Sequence, residues 1–286
     1  MKEIRNLSHS VHDRLLNLAH RTQQPYDLVL VRYALERLLY RLSCSEYQRR
    51  FVLKGAFLFA AWREAAWRPT RDMDLLGYGS PDVATLVDVF RALCVIDVPG
   101  DGLEFSPVSV RGEDIREGDV YHGVRIHLTA RLASALIPLQ VDVGFGDVIT
   151  PPAEALDFPT LLDFPMPHVM AYPKAAVVAE KFEALVTLGM ANSRMKDFYD
   201  LWMLAQRSDF DGAVLSQALQ ATSHRLLDSL DDRVVGQAIG GHVGDGAWHG
   251  CHSQRTVTLC AKCCMCHQRN AHTIVKAFRR AHWRRA

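Results

Sequence analysis

The stretch from Arg68 to Gly79 constrains the fold more than any other. Within it Asp72 and Asp74 stand one residue apart, split by Met73 and followed by Leu75. Side chains alternate along a strand, so a strand here puts both acids on one face and Met73 and Leu75 on the other. Like charges on one part-buried face repel and lose hydration, and a divalent cation between them offsets both costs. Taken alone, the Asp-x-Asp reads equally well as a solvated strand end screened by Arg68 and Arg71. What lies before and after it changes the balance.

Upstream, Ser8 to Gln23 and Tyr26 to Leu42 carry apolar residues at helical spacing, with Pro25 between them. Their distinctive residues are plain core formers, so a helical layer packing on the next domain is favoured over a small DNA-binding unit. Phe51 to Leu53 read as a short strand and Ala56 to Trp62 as a helix, joined at Lys54-Gly55. Such a junction can turn backbone N–H groups toward a phosphate, with Gly55 allowing close approach and Lys54 adding charge. For an isolated Lys-Gly, a tight turn with a solvated lysine is the simpler reading.

Downstream, Ser80-Pro81 signals a cap and a helix over 81–95. Leu103 to Val110 and Val120 to Leu132 alternate as strands, joined by a charged loop over 111–119. In the next strand Leu139, Val141, Val143 and Phe145 share a face, so Asp142 points the other way, where an unpaired carboxylate is costly. Asp147, after Gly146, reads as a turn acid. Residues 153–164 read as the crossing to a second, helical domain. Lys174 to Gly189 is a helix with its stripe at Ala175, Val178, Ala179, Phe182, Leu185 and Val186. Asn192-Ser193 caps another, over 194–205, in which Lys196 and Asp200 are spaced for a surface ion pair. The expected segments are therefore 1–50, 51–152, 153–235 and 236–286.

Half of the 286 residues are hydrophobic and the net charge is +1, ordinary for a globular protein and neutral on polyanionic partners. No apolar run reaches the roughly 18 residues of a membrane span. The first residues lack the apolar core of a signal peptide, so a reducing cytoplasm is the expected compartment. Cys44 and Cys94 read as small core residues; the other five of seven cysteines crowd into Cys251–Cys266. Cys260-x-x-Cys263 is a zinc half-site without a second spaced pair, and Cys264-x-Cys266 is cramped. The Gly-, His-, Cys- and Arg-rich tail over 236–286 reads instead as irregular, poorly ordered sequence of the kind a changed reading frame leaves.

In order, Phe51-Val-Leu-Lys-Gly55, Arg68-x-Thr70-x-Asp72-x-Asp74-Leu75, Asp142, Glu180-Lys181 and Arg194-x-Lys196-Asp197-Phe-Tyr-Asp200-Leu201 resemble the AbiEii/AbiGii toxin family of nucleotidyltransferases. That family lies within the polymerase-beta-like nucleotidyltransferase superfamily, and the likeness runs from about Leu15 to Asp228. It implies an α+β fold: a mixed sheet with helices carrying three acids, preceded by N-terminal helices and followed by a helical domain. By the same resemblance Asp72 and Asp74 would hold Mg²⁺ (or Mn²⁺), and Asp142 would be a third ligand or the base for the attacking hydroxyl. Lys54 and Gly55 would cradle the triphosphate. Thr70 stands where the family often has serine. Lys181 would contact phosphate, with Asp197 beside it, and Arg194 and Lys196 belong to the same block. Two departures stand out: Gly55-Ala56 replaces a Gly-Gly or Gly-Ser pair, and the spacer to the acids is longer than usual.

The expected activity is that of a toxin of a toxin–antitoxin or abortive-infection system. It would move a nucleotide from a nucleoside triphosphate to RNA, with the tRNA 3′ end as acceptor and an antitoxin as partner. The alternatives are a nucleotide- or RNA-binding relic without catalysis, and a metal-dependent phosphodiesterase.

Overall fold

The helical spacing at the start of the chain becomes Leu7–Thr22 (α1) and Tyr26–Ser43 (α2). The computed structural model describes residues 7–62, 70–117, 121–188 and 195–229. The chain divides into two units, Met1–Asp147 with Ala153–Tyr172, and Val148–Pro152 with Pro173–Ala286.

The first unit is built on a seven-stranded mixed sheet. Its strands are Phe51–Lys54 (β1), Asp72–Gly77 (β2), Leu103–Glu117 (β3), Tyr121–Leu132 (β4), Ala135–Phe145 (β5), Glu154–Asp157 (β6) and His168–Ala171 (β7). Their order is β3-β4-β5-β2-β1-β7-β6, with β2/β5 and β1/β7 parallel and the remaining neighbours antiparallel. Met73 and Leu75 of β2, and Leu139, Val141 and Val143 of β5, are buried on one face. That burial fixes the register, because a one-residue slip would put the apolar set on the opposite face.

Local expectations change in five places. Ala56 does not begin an α-helix: Ala56–Ala60 is one 3₁₀ turn with Phe57, Leu58, Phe59 and Ala60 all buried. Phe57 stacks on Phe158 at 4.8 Å, and burial of four successive residues leaves no alternation of buried and solvent faces of the kind a surface helix shows. The helix expected from Pro81 is Val83–Cys94 (α3), because Asp82 accepts the Thr85 N–H at 2.7 Å and makes the cap. The charged stretch after Val110 continues β3, with Glu113 opposite Arg125 and Arg111 opposite His127. An edge strand tolerates such outward charges. Residues 153–172 return to the sheet as β6 and β7 and belong to the first unit, so the helices of the second unit follow from Pro173 and not from 153. Cys94 is buried, but Cys44, just past the end of α2, is exposed.

α2 also carries buried charge that the apolar spacing conceals. Glu36, Arg37 and Arg41 are each 5% exposed or less. Arg41 donates to both carboxylate oxygens of buried Asp101, at 2.6 and 3.3 Å. Arg37 donates twice to the Pro165 carbonyl, at 3.0 and 2.9 Å. The Glu36 carboxylate accepts the Leu161 N–H at 2.8 Å. Burial pushes the Glu36 pKa up to about 7, against that hydrogen bond and the charges of Arg37 and Arg32. A carboxyl raised in the folded state holds a proton that the unfolded chain has released. Its contribution is therefore most favourable below about pH 4.5 and declines as pH rises toward 7, by at most about 3 kcal/mol. Glu36→Gln keeps an acceptor for Leu161, and urea melts from pH 4.5 to 8 are expected to lose that part of the slope.

The second unit contains Lys174–Leu188 (α4), Met195–Arg207 (α5) and Gly212–Ser229 (α6), with α4 packed on both of the others. Of the expected stripe Ala175, Val178 and Ala179 are buried and Phe182 and Leu185 half-buried, while Leu201, Leu204 and Ala205 of α5 are buried. The Asn192-Ser193 cap, Gly189 and Arg194 lie outside the described residues, as does the whole segment 236–286 with its cysteines. Among the described residues no helix is long and apolar enough to cross a membrane.

Candidate active site

Strand alternation delivers Asp72, Asp74 and Asp142 to the same sheet face, opposite the buried Met73 and Val141. The pairing then builds a row across the strands. Lys54 of β1 lies opposite Asp74 of β2, Asp74 beside Asp142 of β5, Asp142 opposite Arg125 of β4, and Arg125 opposite Glu113 of β3. A second row runs Asp72, Gln140, His127. Charge thus alternates along the first row except at its centre, where the two carboxylates sit side by side.

Each acid has its own surroundings. Buried Thr70 donates its hydroxyl to Asp72 and fixes that carboxylate. Asp74 lies against the backbone of Gly55, so close that a Cβ on Gly55 would come 1.9 Å from Asp74 Oδ2. Gly55 also sits at φ 69°, ψ −159°, a region essentially reserved for glycine that costs other residues about 1–3 kcal/mol. Asp142 is bonded by Arg125, Nε to Oδ1 and Nη2 to Oδ2, both at 2.8 Å. Gln140 Nε2 adds contacts at 3.2 and 3.1 Å. The bond to Asp142 raises the Arg125 pKa, against burial, and the charges of Asp142, Glu113 and Asp72 add to it. Among the described residues no three His, Cys, Asp or Glu side chains form a group able to hold a metal ion. The three aspartates therefore share a face, while the third is turned to an arginine.

Lys54 is placed by residues that sequence reasoning missed. Its Nζ donates to Asp147 Oδ2 at 2.6 Å, and the Tyr172 hydroxyl donates to the same oxygen at 3.2 Å. Asp147 is no solvated turn acid: its side chain is 3% exposed. The chain turns at Gly146, φ 84°, and directs Asp147 inward beneath Lys54. Arg125 was within reach of the sequence. A two-residue turn at Ala133-Ser134 pairs Leu132 with Ala135, and hence Arg125 with Asp142.

In the second unit Lys181 of α4 meets α5. Its Nζ lies 2.8 Å from Asp197 Oδ1 and 2.9 Å from Asp200 Oδ2. Burial alone would lower the Lys181 pKa; the charges of Asp200 and Asp197, with their hydrogen bonds, outweigh it, and the net shift is upward. Asp200, 2% exposed, faces α4, so it is not the surface partner that its spacing from exposed Lys196 suggests.

The family model described as Nucleotidyl transferase AbiEii toxin, Type IV TA system matches residues 37–238. No curated protein matches the chain. Among solved structures, the nucleotidyltransferase toxin MenT4 of Mycobacterium tuberculosis H37Rv is similar at a TM-score of 0.53 and 20% identity, over 95% of this chain and 98% of that one. JHP933 from Helicobacter pylori has a TM-score of 0.44 and 12% identity, over 86% of each chain. The MenT4 likeness concerns the fold, a mixed sheet with helices; the JHP933 likeness is too distant to argue from. With residues 37–238 matched, the chain belongs to the nucleotidyl transferase AbiEii toxin family of type IV toxin–antitoxin systems.

Proposed function

We propose that this chain transfers a nucleotidyl group from a nucleoside triphosphate to a hydroxyl of RNA, with the tRNA 3′ end as acceptor. The observation that carries the reading is the placement of Asp72 and Asp74 on one face of β2, beside Lys54 and against the bare backbone of Gly55. The donor set is carboxylate oxygen, which suits hard Mg²⁺ or Mn²⁺. Gly55, with no Cβ, forms the cradle in which the Asp74 carboxylate rests, and so sets where an ion on Asp74 would lie. Asp72 and Asp74 would hold the ion. When bound, it supplies positive charge to the transferring phosphate.

In the reaction the acceptor oxygen forms a bond to the α-phosphorus, the bond to pyrophosphate breaks, and the hydroxyl proton leaves to water or a base. Lys54, held by Asp147, neutralises phosphate charge, and Thr70 keeps Asp72 oriented. In the second unit Lys181 is the further phosphate-binding lysine and Asp197 its anchor, with Lys196 adding charge on the exposed side of α5. Oriented charges of this kind account for much of the catalysis of phosphoryl-type transfer. Membership of the family implies a cognate antitoxin.

The test is incubation of purified protein with each labelled ribonucleoside triphosphate, Mg²⁺ and total tRNA. Label on RNA that gains length supports transfer. Shortened RNA would point to a phosphodiesterase, and triphosphate binding without label transfer to a relic. Gly55→Ala tests the cradle: its Cβ would push the Asp74 carboxylate by more than an ångström, and a displacement of that size costs on the order of 10²-fold in rate. That loss, with Asp74→Asn as a comparison, is the expected outcome in the same assay.

A further inference from the structure

Asp142 differs from the other two aspartates in what its carboxylate does. Both oxygens accept from Arg125 at 2.8 Å, and both lie within 3.2 Å of Gln140 Nε2. Of the roughly four lone-pair positions of a carboxylate, the guanidinium fork takes one on each oxygen and the Gln140 amide bridges the two. An ion at Asp142 would have to compete with these contacts. Mg²⁺ commonly takes one or two protein carboxylates and completes its shell with phosphate and water, so Asp72 and Asp74 are enough.

Arg125 has the opposite character. The fork uses two of its five donors, on a side chain that is 34% exposed. It lies in the same cross-strand row as Asp74, two strand spacings away, or roughly 10 Å. Glu113, its partner on β3, lies 3.2 Å from His127, so that carboxylate is shared. A planar guanidinium fixed by one carboxylate, part exposed and in the same row as Asp74, suits phosphate binding.

We propose that Arg125 binds the triphosphate of the incoming nucleotide, and that Asp142 positions Arg125 and is not a ligand of the divalent ion. The proposal rests on the nucleotidyl-transfer reading. It names a phosphate contact on β4, a strand from which the sequence pattern drew no site residue, and it gives the third acid a role other than metal ligation or base catalysis.

The test separates ion binding, triphosphate binding and turnover. Mn²⁺ is titrated into nucleotide-free protein and followed by electron paramagnetic resonance. Tripolyphosphate with Mg²⁺ is titrated by calorimetry, and transfer kinetics are measured with each ribonucleoside triphosphate. Asp142→Asn and Arg125→Ala are expected to bind Mn²⁺ within about twofold of wild type, whereas Asp72→Asn loses about tenfold or more. Both are expected to weaken tripolyphosphate binding about tenfold and to raise KM for triphosphate more than they lower kcat. Arg125→Lys, which keeps charge but not the fork, falls between. The double variant should be no worse than Arg125→Ala, because the two residues act as one unit.

Loss of Mn²⁺ affinity in Asp142→Asn equal to that in Asp72→Asn would overturn the proposal. So would tripolyphosphate binding unchanged in Arg125→Ala, or a KM effect confined to RNA. If Asp142→Asn fails to fold, the part-exposed Arg125→Ala and Arg125→Lys decide the matter by tripolyphosphate titration. If wild type transfers no label, the transfer reading fails by itself, and the Mn²⁺ and tripolyphosphate titrations still judge Arg125 and Asp142.

Discussion

Asp72→Asn is expected to lower nucleotide transfer by about 10³-fold, or roughly 4 kcal/mol of transition-state stabilisation. The size follows from what the carboxylate does. It is one of two acids on the same face of β2, and an ion held between them would supply several kcal/mol to a reaction that builds charge on phosphate oxygens. Asparagine keeps the shape and an oxygen able to accept the Thr70 hydroxyl, so local packing persists. It also removes a like charge beside Asp74, so folding stability should hold steady or rise by about half a kcal/mol. The measurements are initial rates of label transfer together with thermal melting of the same preparation. Activity within tenfold of wild type, in a folded variant, would mean that this pair is not the seat of the ion.

Asp101→Ala produces the largest expected change in stability, a loss of about 3–5 kcal/mol. Its carboxylate takes the Arg41 fork, accepts the Leu103 N–H at 3.1 Å and lies 3.6 Å from Arg37 Nε. Its carbonyl accepts the Tyr33 hydroxyl at 2.6 Å. Alanine leaves two buried guanidiniums without that counter-charge. Pairing Asp101→Ala with Arg41→Met removes one of the stranded charges and should recover much of the loss, since apolar replacement of a buried ion pair is often neutral. Urea melts of the single and double variants give the comparison; equal loss in both would show that the cost lies elsewhere than in the stranded arginine.

The two predictions draw on different kinds of information. The acids at 72 and 74 can be read from the sequence, because strand alternation is local and needs only Met73 and Leu75 to mark the buried face. The same reasoning placed Asp142 and the helices α1, α2 and α4. It failed where a residue's neighbour comes from far along the chain. Arg37 and Arg41 look like ordinary polar positions on α2 until Asp101 and Pro165 close over them. Asp200 looks like the partner of Lys196, one turn away, until α4 presents Lys181. Asp147 looks like a turn acid until Tyr172, at the end of β7, meets it from the other side.

By itself, then, the sequence determined the periodicity, the face on which each acid lies, and the family to which the ordered motifs belong. Tertiary structure decided which charges face one another. The parallel pairings β2/β5 and β1/β7 are set by burial of their common apolar face and not by any tight turn. Those pairings bring Asp74 beside Asp142, and the β4–β5 hairpin then brings Arg125 to Asp142. A one-dimensional pattern records where a side chain points; the charge that waits there belongs to another strand.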